Sequence, residues 1–237
     1  MVNAVVVSGA FDDMRSRHIR LLHEASKRGP VHVHLWSDAA VREAAGAEPR
    51  FPQPEREYLV SAIRYVDRVT VTDRPEPDAT GIGDAALAGF ELPDLPAAPA
   101  SRKTVVVTGC YDWFHSGHVA FFEEVSRIGE LTVVVGHDAT ITLLKGPGHP
   151  MFPQAERAYM VAAIRFVSRV LISSGMGWLD AAPEIERIKP EIYAVNEDGD
   201  RPEKREFCAT RGIEYRVLKR VPHAGLPRRE STRLRGF

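Results

Sequence analysis

The chain has 237 residues, enough to bury a sizeable core as one large domain or two small ones, and its 31 Lys and Arg balance 32 Asp and Glu, so no global field draws nucleic acid or an anionic membrane. No apolar run approaches transmembrane length, and the opening MVNAVVVSGAFDD reads as a first strand more than as a signal peptide. Two cysteines, Cys110 and Cys208, are too few for a disulfide framework and lack metal-ligand spacing, so a reducing, cytoplasmic setting is expected.

In chain order, a β-branched run at Val5 to Val7 ends in Gly9 and gives way to an amphipathic helical stretch, and a second apolar run, VHVHLW, follows. FPQPEREYLVSAIRYVDRV, residues 51–69, adds another helical segment. Residues 73–103 are rich in Pro, Gly and Ala, with one short helix expected near Asp84 to Ala88; most of this stretch reads as linker. Val105 to Thr108 then starts the order again, with LTVVVG as its second strand and FPQAERAYMVAAIRFVSRV as its helical segment. Only this later part continues, through a helix-like LDAAPEIERIK, a strand EIYAVN, a helix-like RPEKREFCATRG and a strand IEYRVLKR. Strands alternating with helices predict βαβ units and a parallel sheet.

The recurrence is exact enough to align. At a constant offset of 100, Gly9 meets Gly109, Asp12 meets Asp112, His18 meets His118 and Asp38 meets Asp138; after a one-residue insertion, 13 of 19 positions agree between residues 51–69 and 152–170. An ancestral duplication is the expected source. The expected organisation is therefore a degenerate first copy at 1–75, a linker at 76–102 and a complete second copy at 103–237.

A glycine after a buried strand lets the backbone turn tightly, and the helix that follows presents free N–H groups and a positive dipole end, an arrangement suited to an anion. In VVVTGCYDWFHSGH, His115 and His118 stand three apart and share a face if they lie on one helical turn, with Gly117 leaving room between them. By themselves the two histidines fit a capping or core role equally well.

GCYDWFHSGH resembles the Gly-x-x-Asp-x-x-His-x-Gly-His signature of the cytidylyltransferase-like nucleotidyltransferases, and the likeness continues through Lys145-Gly146 to a terminal Ser231-Thr232. The resemblance implies a Rossmann-like α/β fold and transfer of a nucleoside monophosphate, from CTP or ATP with Mg2+, to a small phosphorylated acceptor, with release of pyrophosphate. It assigns His115, His118 and Lys145 to catalysis. Gly109, Cys110, Tyr111, Gly117, Asn196, Arg229, Ser231, Thr232 and Arg235 fall to nucleotide binding, with Ser231 or Thr232 capping a last helix. Asp112, Asp138 and Trp178 fall to the acceptor, although a cap or turn role for either aspartate and ordinary packing for the tryptophan fit the residues as well. CTP is expected ahead of ATP, from the tandem arrangement and the phrasing of the motif. Phosphoethanolamine, glycerol 3-phosphate and heptose 1-phosphate enzymes share these motifs, and the residues do not choose among their acceptors. The alternative is a catalytically inactive nucleotide-binding regulatory module.

The first copy reads Arg15-Ser16-Arg17-His18 against His115-Ser116-Gly117-His118, and Ala45-Gly46-Ala47 against Lys145-Gly146-Pro147, and it stops before any Ser-Thr motif. Its expected role is that of a catalytically dead partner in an intrachain pseudo-dimer, with Arg17 blocking close approach of a phosphate.

Overall fold

In the computed structural model, residues 3–90, 92–93, 102–231 and 234 are described. The chain divides into two compact units, Met1–Glu91 with Ala163–Arg165, and Leu92–Ala162 with Phe166–Phe237.

The first unit runs β1 (Val5–Gly9), α1 (Ser16–Ser26), β2 (Val31–Trp36), α2 (Asp38–Ala45), α3 (Gln53–Ser61) and β3 (Arg68–Thr72). Its sheet is parallel, in the order β1-β2-β3. In β2 the burial alternates: Val31, Val33 and Leu35 are fully buried, while His32, His34 and Trp36 are half-exposed. One face of this sheet is therefore packed and the other only partly covered. Residues 76–86, expected as linker, are tied to this unit. Ser8 Oγ donates to the Glu76 carbonyl at 2.7 Å, Arg28 to that of Thr80 at 2.7 Å and Arg20 to that of Ala86 at 3.0 Å. The short helix expected near residue 84 is a 3-10 turn over Asp84–Leu87.

The second unit contains β4 (Thr104–Gly109), α4 (Ser116–Ile128), β5 (Glu130–Val135), α5 (Asp138–Lys145), α6 (Gln154–Ala162), β6 (Arg169–Ile172), α7 (Ala182–Ile188), β7 (Ile192–Asn196), α8 (Pro202–Ala209) and β8 (Glu214–Leu218). Its strands are all parallel, in the order β6-β5-β4-β7-β8. Leu131 to Val135 in β5 are buried without alternation, as a strand covered on both faces must be. On one of those faces Val106, Val134, Tyr193 and Val195 form a core with Ile185 of α7 and Phe207 of α8. Chain order reverses between β4 and β7, and at such a switch point the loops leaving the strand ends diverge and open a crevice.

A buried arginine braces that crevice. Arg157 of α6 is 1% exposed and donates to the carbonyls of Phe152, Cys110 and Gly136 and to the Asp138 carboxylate at 2.8 Å, tying the ends of β4 and β5 together. Arg56 does the same in the first unit, donating to Phe51, Ala10, Trp36 and Asp38.

Candidate active site

A cleft of about 540 Å³ opens at the β4–β7 switch point, entirely within the second unit. After Gly109, the chain passes through Tyr111 at a left-handed φ of 52° and enters α4 with His115 as its N-cap. His115 is fully buried, and its Nδ1 accepts a hydrogen bond from the Gly117 N–H at 3.1 Å. That bond fixes the neutral tautomer, with the proton on Nε2. Nε2 is itself buried and has no partner among the described residues.

His118 lies one turn on and lines the cleft. Its ring stacks on that of His115 with centroids 4.0 Å apart and planes 19° from parallel, and Tyr111 and Phe114 wall it in, each at 5.3 Å. Its buried Nδ1 is also without a partner among the described residues. Burial, reinforced by Arg220 and Arg229, pushes the His115 pKa down to about 3. Burial, then His115, Arg220 and Lys145, hold His118 well below the usual imidazole value. Both are therefore neutral hydrogen-bond donors at pH 7, ahead of any phosphate.

Gly117 serves this arrangement differently from the expectation of open room. A Cβ there would lie 3.0 Å from the His115 ring, so the vacancy is already filled by the imidazole it admits. Gly109 likewise admits Tyr111, whose ring would stand 2.7 Å from an added Cβ.

Lys145 ends α5, exposed and lining the cleft, close to the half-buried Cys110, whose thiol is pushed up chiefly by burial. Gly146 and Gly148 follow with left-handed φ of 86° and 80° and open space around both. Asp112 lines the cleft but acts on this loop: its Oδ1 accepts from the Met151 and Phe152 N–H groups at 2.8 and 3.1 Å. Asp138 sits in the first turn of α5 and holds Arg157. Both aspartates are thus engaged in shaping the site, the cap or turn role expected of them beside an acceptor contact. Asn196 ends β7 and lines the cleft. Trp178 is 47% exposed at the rim, with the Arg201 guanidinium 4.6 Å from its ring centroid, so it is no core residue.

The C-terminal stretch crosses α4's N-terminus. Ser231 lines the cleft with its hydroxyl donating to the Trp113 carbonyl at 3.2 Å, and the Arg229 carbonyl, which accepts from Arg220, lies 3.6 Å from where a Cβ of Gly117 would be. Arg228, not Arg229, lines the cleft. Thr232 and Arg235 lie outside the described residues.

Residues 106–218 match the family model described as Cytidylyltransferase-like. An FAD synthase of Aciduliprofundum boonei is 33% identical over 118 residues, which cover 48% of this chain and 76% of that protein. The chain belongs to the cytidylyltransferase-like family. Bifunctional protein HldE of Campylobacter fetus is 35% identical over 117 residues, covering 46% of this chain; the match spans only a quarter of the HldE length. The crystal structure of a lipopolysaccharide core biosynthesis protein from Thermoplasma volcanium covers 52% of this chain and 99% of its own, at 24% identity and a TM-score of 0.43.

Within this cytidylyltransferase-like unit, the cleft residues without an assignment from sequence include Asp180, Arg201, Lys204 and Arg220. Each comes from a connection after β6, β7 or β8, and only the folded sheet gathers them. Arg157 carried a signal, because Arg56 repeats it inside the shared FPQ segment. Among the described residues no three His, Cys, Asp or Glu side chains stand together as metal ligands. An Mg2+ ion that arrives bound to nucleotide phosphates and keeps its waters needs no such cluster. No described helix is long and apolar enough to cross a membrane.

Proposed function

We propose that the second unit is a nucleotidyltransferase, moving a nucleoside monophosphate from a nucleoside triphosphate to a phosphate-bearing acceptor. The observation that carries this reading is the stacked His115–His118 pair at the α4 N-terminus, two neutral imidazoles with buried, unpartnered ring nitrogens, of which His118 lines the cleft with Lys145 while His115 lies fully buried behind it. An acceptor phosphate oxygen attacks the α-phosphorus in line, a new P–O bond forms, the bond from the α-phosphorus to the bridging oxygen breaks, and that oxygen leaves with pyrophosphate. No covalent enzyme intermediate is required, so the protein's task is to position the reactants and stabilise charge. His115 and His118 donate hydrogen bonds to phosphate oxygens as charge builds on the leaving group, and the α4 dipole and the Lys145 ammonium add positive potential. Mg2+ bound with the triphosphate would neutralise part of its charge.

ATP is the donor this reading favours over the CTP expected from sequence. The name FAD synthase states an adenine-containing product, and that relative is matched over three quarters of its length. Asn196 and the turn after it, at the end of β7, receive the nucleoside. The first unit is read as a degenerate copy without turnover of its own. A pyrophosphate-release assay with ATP and CTP against sugar phosphates, phosphoalcohols and FMN tests the assignment. Nucleotide binding without pyrophosphate release from any acceptor would favour the regulatory-module reading instead.

A further inference from the structure

The floor of the cleft carries a constellation that the phosphate chemistry does not use. Asp180 is half-buried there, and two glycines make room for it: a Cβ at Gly136 would lie 3.2 Å from its Oδ2, and one at Gly175 would lie 2.7 Å from its carbonyl oxygen. The Gly175 N–H donates to that carbonyl at 2.8 Å, and Ser173 Oγ donates to Oδ2 at 2.6 Å, so backbone and side chain are both held.

Lys204 reaches the same cleft from α8. It is 7% exposed, with Nζ 5.7 Å from the Tyr193 ring centroid, and its one hydrogen bond among the described residues is a long 3.4 Å contact to the Gly199 carbonyl. An ammonium has three donors, so this one is under-satisfied. Burial pushes Asp180 up and Lys204 down, and the charge of each partly offsets the shift of the other. A half-buried acid and a buried base that line one cleft with unmet hydrogen-bonding capacity are costly unless a ligand completes them.

We infer that Asp180 and Lys204, with Trp178 at the rim, form the acceptor subsite, and that the acceptor is a sugar or polyol phosphate whose hydroxyl groups they read. This rests on the nucleotidyltransferase reading above. Position separates Asp180 from the nucleotide: it stands over Gly136 at the end of β5, whereas the phosphate-binding groups gather at α4 and the nucleoside is assigned to the end of β7; Lys204 reaches the subsite from α8, past the Gly199 carbonyl of the turn that borders the nucleoside. The chemistry selects hydroxyls. One hydroxyl donates to a carboxylate while its neighbour accepts from an ammonium, so a vicinal pair satisfies both ions and adds no charge. An ammonium head group offers donors only, and beside Asp180 it would lie near Lys204 and Arg201, both positive. An apolar tail would leave the remaining hydrogen-bonding capacity of both ions unmet. The exposed indole adds an apolar surface for the C–H face of a sugar ring.

The test is initial-rate kinetics on the full chain with ATP and with CTP, offering hexose and heptose 1-phosphates, glycerol 3-phosphate, FMN, phosphoethanolamine and phosphocholine. Turnover is expected with a sugar or polyol phosphate. In Asp180→Asn the acceptor KM should rise about tenfold or more, while the nucleotide KM stays within about twofold; in Lys204→Met the acceptor KM should rise by a larger factor than the nucleotide KM. Ser173→Ala, which removes the hydroxyl that orients Asp180 and that also accepts from the His137 N–H at 3.0 Å, should raise the acceptor KM in the same direction and serves if either ion variant fails to fold. Turnover confined to phosphoethanolamine or phosphocholine would overturn the subsite and leave nucleotidyl transfer standing, as would an unchanged acceptor KM in the folded variants; FMN, whose ribityl chain is a polyol phosphate, counts with the expected acceptors. Absence of pyrophosphate release from every acceptor, with ATP binding intact by calorimetry, would overturn both.

Discussion

The His115 and His118 rings stack 4.0 Å apart because His115 caps α4 through Nδ1 and His118 follows one turn later, with Gly117 admitting the first ring between them. Both donors are thereby fixed before substrate arrives. His118→Ala and His115→Ala should each lower turnover by on the order of a hundredfold or more, with a smaller change in nucleotide KM, because preorganised donors act mainly on developing charge. Steady-state kinetics of the folded variants checks this, and near-normal turnover in His118→Ala would remove the pair from the chemistry.

The same burial sets a pH dependence of stability. The His115 pKa falls from 6.5 to about 3 on folding, so between those values the unfolded chain binds the proton that the folded chain refuses. Stability therefore declines as pH drops below about 6.5, by at most about 1.4 kcal/mol per pH unit from this residue. His118, His18 and His32 are lowered as well and act in the same direction. Urea unfolding at pH 7 and pH 5 should show the loss for the wild-type chain and a smaller loss for His115→Asn; equal losses would contradict a buried neutral His115.

Arg157 gives a separate stability test. Its guanidinium satisfies three backbone carbonyls and Asp138 at a site with almost no solvent, and Arg157→Met leaves those carbonyls without donors. A loss of about 2–4 kcal/mol is expected. Arg157→Lys should recover little of it, because an ammonium cannot reproduce the planar fork. Chemical denaturation of both variants measures the difference.

How far the sequence could be read follows from where each signal lies. The strands ending at Gly9 and Gly109 and the shared FPQ segment are local patterns, and the parallel sheets follow from their order. His115, His118 and Lys145 were legible because short motifs fix their spacing. Asp180 and Lys204 were not, because they lie 24 residues apart on different connections, and only the β6-β5-β4-β7-β8 order brings both to one cleft. Asp112 looked like a ligand contact since its carboxylate sits inside the motif; its engagement by the Met151 and Phe152 amides depends on a loop 39 residues away. Gly117 was legible as a required glycine but not for its reason, because the ring it admits is placed by a cap that sequence does not show.

The first unit shows how a site of this design is filled from within. Asp13 stands where the second unit has Trp113, and its Oδ2 accepts from Arg15 Nε and Nη2 at 3.0 and 2.6 Å and from Arg50 Nη1 at 2.9 Å. Arg15 and Arg50 themselves replace His115 and Met151 in the alignment, so a carboxylate and the cations that hold it have been exchanged together. Arg17, expected to obstruct a phosphate, turns to Asp84 at 2.5 Å with most of its side chain in solvent. The cations that replaced the phosphate-binding groups are thereby paired with internal carboxylates, and an incoming anion would have to displace Asp13 to reach Arg15. Calorimetric titration of the full chain with ATP should therefore give one site per chain. The double variant Arg15→Ala with Arg17→Ala should keep turnover within about twofold of wild type, since both side chains pair with carboxylates of the first unit. A stoichiometry of two nucleotides per chain, with one lost in the double variant, would show instead that the first unit still binds.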